Sequence, residues 1–267
     1  MSRRDDMLKE MGLWPVWSLR ERGAAHTPEQ EHAGSESIKE TAAPHARAKG
    51  HEATQPIARA EASPAVASDR RARIMQMDWP ELKACVASCV ACPLHERRTK
   101  TVLGVGDEKA DWLFVGEGPG AEEDAQGEPF VGQAGKLLDN MLAAIKLKRG
   151  RNVYIANVVK CRPPGNRNPT PEEALACEPH LHRQIELIRP KLIVALGRVA
   201  AVNLLAREAS IASLRGKVHE YRSTPLIVTY HPAYLLRNLT DKAKAWADLR
   251  FAVATMKDLQ NRASAST

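Results

Sequence analysis

No stretch of this 267-residue chain approaches the roughly 20 consecutive apolar residues that a membrane-spanning helix requires. The opening Met1-Ser-Arg-Arg-Asp-Asp likewise lacks the apolar core of a secretory signal. A cytoplasmic protein with no membrane partner is therefore expected. Between Ser18 and Asp78 there is neither an aromatic residue nor a cysteine, and Ala, Glu, His, Ser, Pro and Arg dominate. Such a composition cannot bury enough apolar surface to offset chain entropy, which predicts a disordered linker over residues 23–78. No Gly-Lys-Ser/Thr follows the glycine-rich loop and the dinucleotide spacing GxGxxG is poorly met, which argues against the common phosphate-cradling loops.

What is present begins with charge. A formal net charge of +7 leans toward an anionic partner such as nucleic acid. Ahead of the linker, Met7, Leu8, Met11, Leu13, Trp14, Trp17 and Leu19 recur at helical spacing, predicting a short amphipathic helix within residues 1–22. Either it is an arm that docks on the following domain or frays, or it offers Trp14 and Trp17 to the groove of a protein partner.

Cysteine is the sharpest signal. Cys89-Val-Ala-Cys92 can grip one metal centre from a single turn, and the distant Cys161 and Cys177 would tie a second segment to it. Four thiolates suit a [4Fe-4S] cluster. Zinc also accepts four cysteines, although the downstream pair lacks a second CxxC knuckle. Free cysteines packed as small hydrophobes are the bland alternative, and Cys85 is expected to pack on a helix face, with a ligand swap for Cys89 left open.

From Trp79 onward strand and helix signals alternate. Asp111–Gly116, Asn152–Asn157, Lys191–Leu196 and Pro225–Tyr230 are predicted buried strands, with helices near Gly135–Leu147, Pro171–Ile188, Arg198–Arg207 and Asp241–Leu259. That rhythm predicts an α/β fold in which helices cover both faces of a parallel sheet and chemistry gathers at the carboxyl ends of the strands. Those ends carry Gly116-Glu-Gly-Pro-Gly120, then Glu122-Glu-Asp124 and the Phe130 loop, then Asn157 and Cys161, and finally His231-Pro-Ala-Tyr-Leu-Leu-Arg237. Glycines let backbone approach a ligand closely, and a carboxylate, an aromatic, an amide and a histidine could together grip a planar base.

These blocks, CxxCPL, GEGPGxxED, GxPFVGxAG, NVVKCRPPxNRxP, ALG and HPAYLLR, resemble the family 4 uracil-DNA glycosylases, the iron–sulfur branch of that superfamily. The resemblance covers roughly residues 79–260 and implies a glycosylase domain over 79–262. Its fold would be a three-layer α/β/α sandwich around a four-stranded parallel sheet. It implies a monomeric base-excision repair enzyme that flips uracil out of DNA and hydrolyses its bond to deoxyribose, leaving an abasic site. Cluster ligands would be Cys89, Cys92, Cys161 and Cys177, in a structural role. Phe130 would stack on the base and Asn157 would read its edge, with Gly116 and Gly118 lining the same pocket. His231 would stabilise the departing anion and Glu117 would activate water or support the cationic sugar, with the acids of Glu122-Glu-Asp124 as rivals for that task. Leu235 and Leu236 would wedge into the base stack, and Arg237, Arg162 and Arg167 would contact DNA; Lys146, Lys148 and Arg149 are further phosphate contacts to consider. No motif points to a lysine nucleophile, so strand cleavage is not expected. Pro163–Pro169 stands where a relative that cross-links its product carries a Lys-Arg-Arg-Ile-His insertion, which sets suicidal cross-linking aside. A non-catalytic or altered-substrate iron–sulfur DNA-binding protein of the same fold is the alternative.

Overall fold

A computed structural model describes residues 64–265 of the chain. The predicted amphipathic helix of residues 1–22, and the linker up to residue 63, lie outside the described residues.

Six strands form one sheet: β1 (Val105–Gly106), β2 (Trp112–Gly116), β3 (Val153–Asn157), β4 (Leu192–Leu196), β5 (Val218–Tyr221) and β6 (Thr224–Thr229), in the order β1-β3-β2-β4-β6-β5. The central four run parallel, with Gly116 paired to Asn157 and Leu196 to Thr229. These are the four strands expected from apolar runs; β2, β3 and β4 are buried at every position because both faces are covered. The expected count of four is corrected to six by antiparallel edge strands, β1 on β3 and β5 on β6. Neither could be read from pattern: β1 has two residues, and β5 is largely solvent-facing Val-His-Glu-Tyr.

The alternation along the strands separates the two cores. Leu113, Val115, Ala156, Ile193 and Ala195 pack against α5 (Pro171–Ile188) and α6 (Arg198–Leu205) through Ala174, Leu181, Ile185, Ala200 and Ala201. Trp112, Phe114, Ile155, Val194 and Leu196 face the opposite way, onto α4 (Gln133–Ala144) and α9 (Lys242–Ala265) through Leu138, Leu142, Ala252 and Met256. The three layers are those expected. No described helix is long and apolar enough to cross a membrane.

Helix starts follow local chemistry. Asp78 caps α2 (Trp79–Ala87) in a box closed by Glu81, and Thr170 does the same for α5 with Glu173, leaving Pro171 where its missing N–H costs nothing. One segment departs from its composition. Helix α1 (Pro64–Ile74) lies inside the stretch predicted as linker, and it is anchored by Ile74 in a small core with Leu82 and Val86 and by arginines bonded to α5. Counting apolar residues misses a helix held chiefly by polar anchors.

Candidate functional site

The chain order places β2 between strands reached by oppositely directed crossovers, so a crevice opens at the carboxyl end of β2, as expected at such a switch point. A cavity of about 420 Å³ lies there, lined among others by Glu117, Phe130, Asn157, His231, Tyr234 and Arg237. Segments far apart in sequence thus meet at one place, as the strand-end motifs suggested.

Gly116 makes that meeting possible. A Cβ on it would lie 2.5 Å from Asn157 Oδ1 and 2.5 Å from Phe130 Cζ, distances that real Cβ atoms do not adopt. Phe130 itself is buried, with φ of 56°, a left-handed conformation rare for a bulky residue and characteristic of functional sites. Three contacts hold it there. Gly135 abuts the Phe130 carbonyl so closely that a Cβ would sit 1.8 Å from its oxygen. Arg149 donates to the carbonyls of Pro129 and Phe130, each at 2.8 Å. Glu123 accepts from the N–H groups of Val131 at 3.0 Å and Gly132 at 3.1 Å, while its second oxygen accepts from Gly120.

These bonds account for two of the three acids in Glu122-Glu-Asp124, leaving Glu122 exposed. Glu123 is committed to shaping the Phe130 loop at the start of α3 (Ala121–Gln126), and buried Asp124 accepts from the backbone of Thr99 and Lys100. The Glu117 backbone carbonyl accepts from the Val159 N–H, but its carboxylate has no hydrogen-bond partner among the described residues, lines the cavity, and has its pKa raised by burial. Arg149, weighed as a phosphate contact, is spent on the loop and on Asp139.

Asn157 is 2% exposed and its Oδ1 is buried without a hydrogen-bond partner among the described residues, a state that native structures seldom leave uncorrected. Its backbone carbonyl accepts from the buried Lys160 ammonium at 2.7 Å. His231 caps α8 (Pro232–Arg237): its Nδ1 accepts from the Ala233 N–H at 3.1 Å, so the neutral ring carries its proton on Nε2. Burial, with a smaller push from Arg237, brings its pKa down to about 4. The ring lies 5.5 Å from that of Phe130, and its Cβ abuts Gly197, whose φ of 91° no side chain would suit.

The DNA-facing expectations divide. Leu236 is 42% exposed, but Leu235 is 1% exposed and packs with Tyr230, Ala245 and Leu249, so it cannot wedge into a base stack without leaving the core. The reason is helical geometry: successive residues of α8 point apart, and only one can face out. Leu239, 63% exposed just beyond α8, was not anticipated from its sequence context. Arg237 lines the cavity; Arg162 donates to Asn166 at 2.7 Å, and Arg167 closes on Glu173 through two bonds of 2.6 and 2.8 Å, which leaves it fewer free donors than expected.

The cysteines form a separate group. Cys89, Cys92, Cys161 and Cys177 line one cavity together with His95, Arg98, Lys160 and His180. Cys85 is absent from that lining and packs beside Ile74, Leu82 and Val86, as expected of a helix-face cysteine. Among the described residues no group of three His, Cys, Asp or Glu side chains is arranged to hold a single metal ion. The donor set nonetheless suits a cluster: Arg98 donates to Cys161 Sγ at 3.3 Å and the Lys160 N–H donates to Cys177 Sγ at 3.3 Å, the kind of outer contact that compensates thiolate charge.

A family model described as "Uracil DNA glycosylase superfamily" matches residues 103–250. The chain is 53% identical over 159 residues to a type-4 uracil-DNA glycosylase of Archaeoglobus fulgidus, covering 57% of this chain and 79% of that one. It is 48% identical over 161 residues to a type-4 uracil-DNA glycosylase of Thermotoga maritima, covering 60% and 83%. A third relative of that name, from Pyrobaculum aerophilum, is 42% identical over 181 residues, covering 65% and 92%.

Proposed function

The chain belongs to the type-4 branch of the uracil DNA glycosylase superfamily, and from that membership we propose that it excises uracil from DNA by hydrolysis, leaving an abasic site, in cytoplasmic base-excision repair. The observation that carries the proposal is the convergence of Glu117, Phe130, Asn157 and His231 on one cavity at the switch point of the sheet.

Each group has a task set by its chemistry. A base flipped from the duplex stacks on the Phe130 ring, which the loop holds in place before substrate arrives. The Asn157 amide offers one donor and one acceptor, which complement uracil but meet an amino group on cytosine. Leaving a buried amide mispaired costs roughly 1–3 kcal/mol, and that is the source of discrimination. As the bond to the sugar breaks, negative charge grows on the base and positive charge on the sugar. The neutral His231 ring, whose Nδ1 accepts from the Ala233 N–H, donates from Nε2 to the departing base. The Glu117 carboxylate orients the attacking water and favours the cationic sugar. No lysine is among the residues lining the cavity, which fits direct hydrolysis without a Schiff base.

Cys89, Cys92, Cys161 and Cys177 would hold a [4Fe-4S] cluster, which when bound cross-links α5 to the segment around Cys89 and Cys92. Lys160 stands beside Cys161 and bonds the Asn157 carbonyl, so the cysteine loop also braces the amide that reads the base. Leu236 and Arg237 face the DNA, with Arg162 as a further backbone contact.

The test is incubation of the brown, anaerobically purified protein with end-labelled uracil-containing DNA, followed by alkali. Strand breaks at uracil that appear only after alkali are expected. Intact DNA from iron-loaded protein would overturn the proposed activity.

A further inference from the structure

Helix α1 precedes residues 103–250, which the family model matches, and takes no part in the uracil site. Its Arg70 nevertheless contacts three residues that line the cysteine cavity, Ala176, Cys89 and His180. One terminal nitrogen donates to the carbonyl of Ala176, the residue before Cys177, at 2.9 Å. The other lies 3.6 Å from Cys89 Sγ and 2.9 Å from His180 Nε2. Arg71 secures the same helix independently, through Glu178 and through His182 Nδ1 at 2.9 Å.

The four thiols differ in protection. Cys161 and Cys177 are buried, whereas Cys89 and Cys92 are only part-buried, so water and chelators reach this pair first. Cys161 has Arg98 as a donor, and Cys177 has a backbone N–H. Arg70 supplies the corresponding donor for Cys89 from a segment outside the matched domain. Its guanidinium is permanently charged and already anchored on the Ala176 carbonyl, so little order is lost when the sulfur becomes a thiolate.

Resting on the cluster reading above, we propose that α1 is a cap over the cluster site and that Arg70 is a positioning residue, a cationic N–H donor to Cys89 that retains iron and raises the reduction potential of the cluster. A positive charge and a hydrogen bond at a ligand sulfur both favour the more reduced, more negative state of such a centre.

The experiment uses the full chain as wild type, Arg70→Met, Arg70→Lys and Arg71→Met, each purified anaerobically. Iron per protein, the rate of bleaching by an iron chelator, and the reduction potential by spectroelectrochemistry are measured alongside uracil excision. Arg70→Met is expected to release iron roughly tenfold faster, the usual scale for loss of an outer-shell partner. Its potential should move to more negative values, and Arg70→Lys should restore part of both effects. Arg71→Met should leave the potential unchanged, since Arg71 touches no thiol. Wild-type protein without iron would sink the cluster reading itself. Iron-loaded wild type with an unaltered Arg70→Met would sink only the role of Arg70. Equal acceleration in both Met variants with no change of potential would assign the effect to helix docking alone and overturn the direct contact.

Discussion

Replacing His231 by Ser separates the two jobs of that side chain. Serine is a strong helix N-cap, so the Ala233 N–H keeps an acceptor at the start of α8 while the Nε2 donor disappears. One positioned donor to a developing oxyanion contributes about 2.7–4 kcal/mol, a factor of roughly 10²–10³ in kcat, and a loss of that size is expected in single-turnover excision of uracil. The neutral state of the ring gives a second, sharper expectation. With a pKa of about 4, the ring would be about 1% protonated at pH 6, against about three quarters for a histidine at the ordinary value of 6.5. Between those two values the unfolded chain binds the proton more readily than the native one. The contribution to stability is therefore complete above about 6.5 and is lost as pH falls toward 4. Excision measured from pH 5 to 8 should show no inflection from His231 near 6.5, and nitrogen NMR of the ring should find the proton on Nε2 throughout that range. A His231→Ser enzyme within a few fold of wild type, or a ring titrating near 6.5 with its proton on Nδ1, would refute the assignment.

Glu117→Gln keeps the shape of the side chain but cannot carry charge, and should lower kcat by roughly a hundredfold or more. Because burial raises the Glu117 pKa, the carboxylate is lost as pH falls through that raised value, so the acid limb of the wild-type profile should vanish in the variant. Gly116→Ala would place a methyl 2.5 Å from Phe130 Cζ and Asn157 Oδ1; forced overpacking should cost about 1–3 kcal/mol in thermal unfolding and weaken substrate use more than stability alone explains. Leu235→Ala should destabilise the protein by about 2–5 kcal/mol, whereas exposed Leu236→Ala should shift unfolding by no more than about 0.5 kcal/mol yet slow excision from duplex DNA relative to single strands. The reverse pattern for the two leucines would show that α8 turns its other face to DNA.

Much of this molecule is written locally. The buried strands announce themselves as short apolar runs, because a strand covered on both faces has no polar positions to spare. The capping boxes at Asp78 and Thr170, the CxxC turn and the strand-end Gly116, Asn157 and His231 are likewise set by near neighbours in the chain. The sequence by itself therefore determined the α/β/α architecture, the motifs of the site and the four candidate thiols. Contacts between distant segments decided the rest. Whether an acid in Glu122-Glu-Asp124 activates water depends on which backbone N–H groups reach it, and Glu123 and Asp124 prove to be occupied by the loops beside them. Leu235 and Leu236 are equivalent as letters, but the packing of α8 on Tyr230 and Leu249 buries one and leaves the other exposed. Edge strands β1 and β5 exist only because β3 and β6 present open hydrogen-bonding edges to them. Helix α1 has the composition of a linker, and its order comes from charged and hydrogen-bonded partners more than a hundred residues away, a coupling that no local pattern encodes.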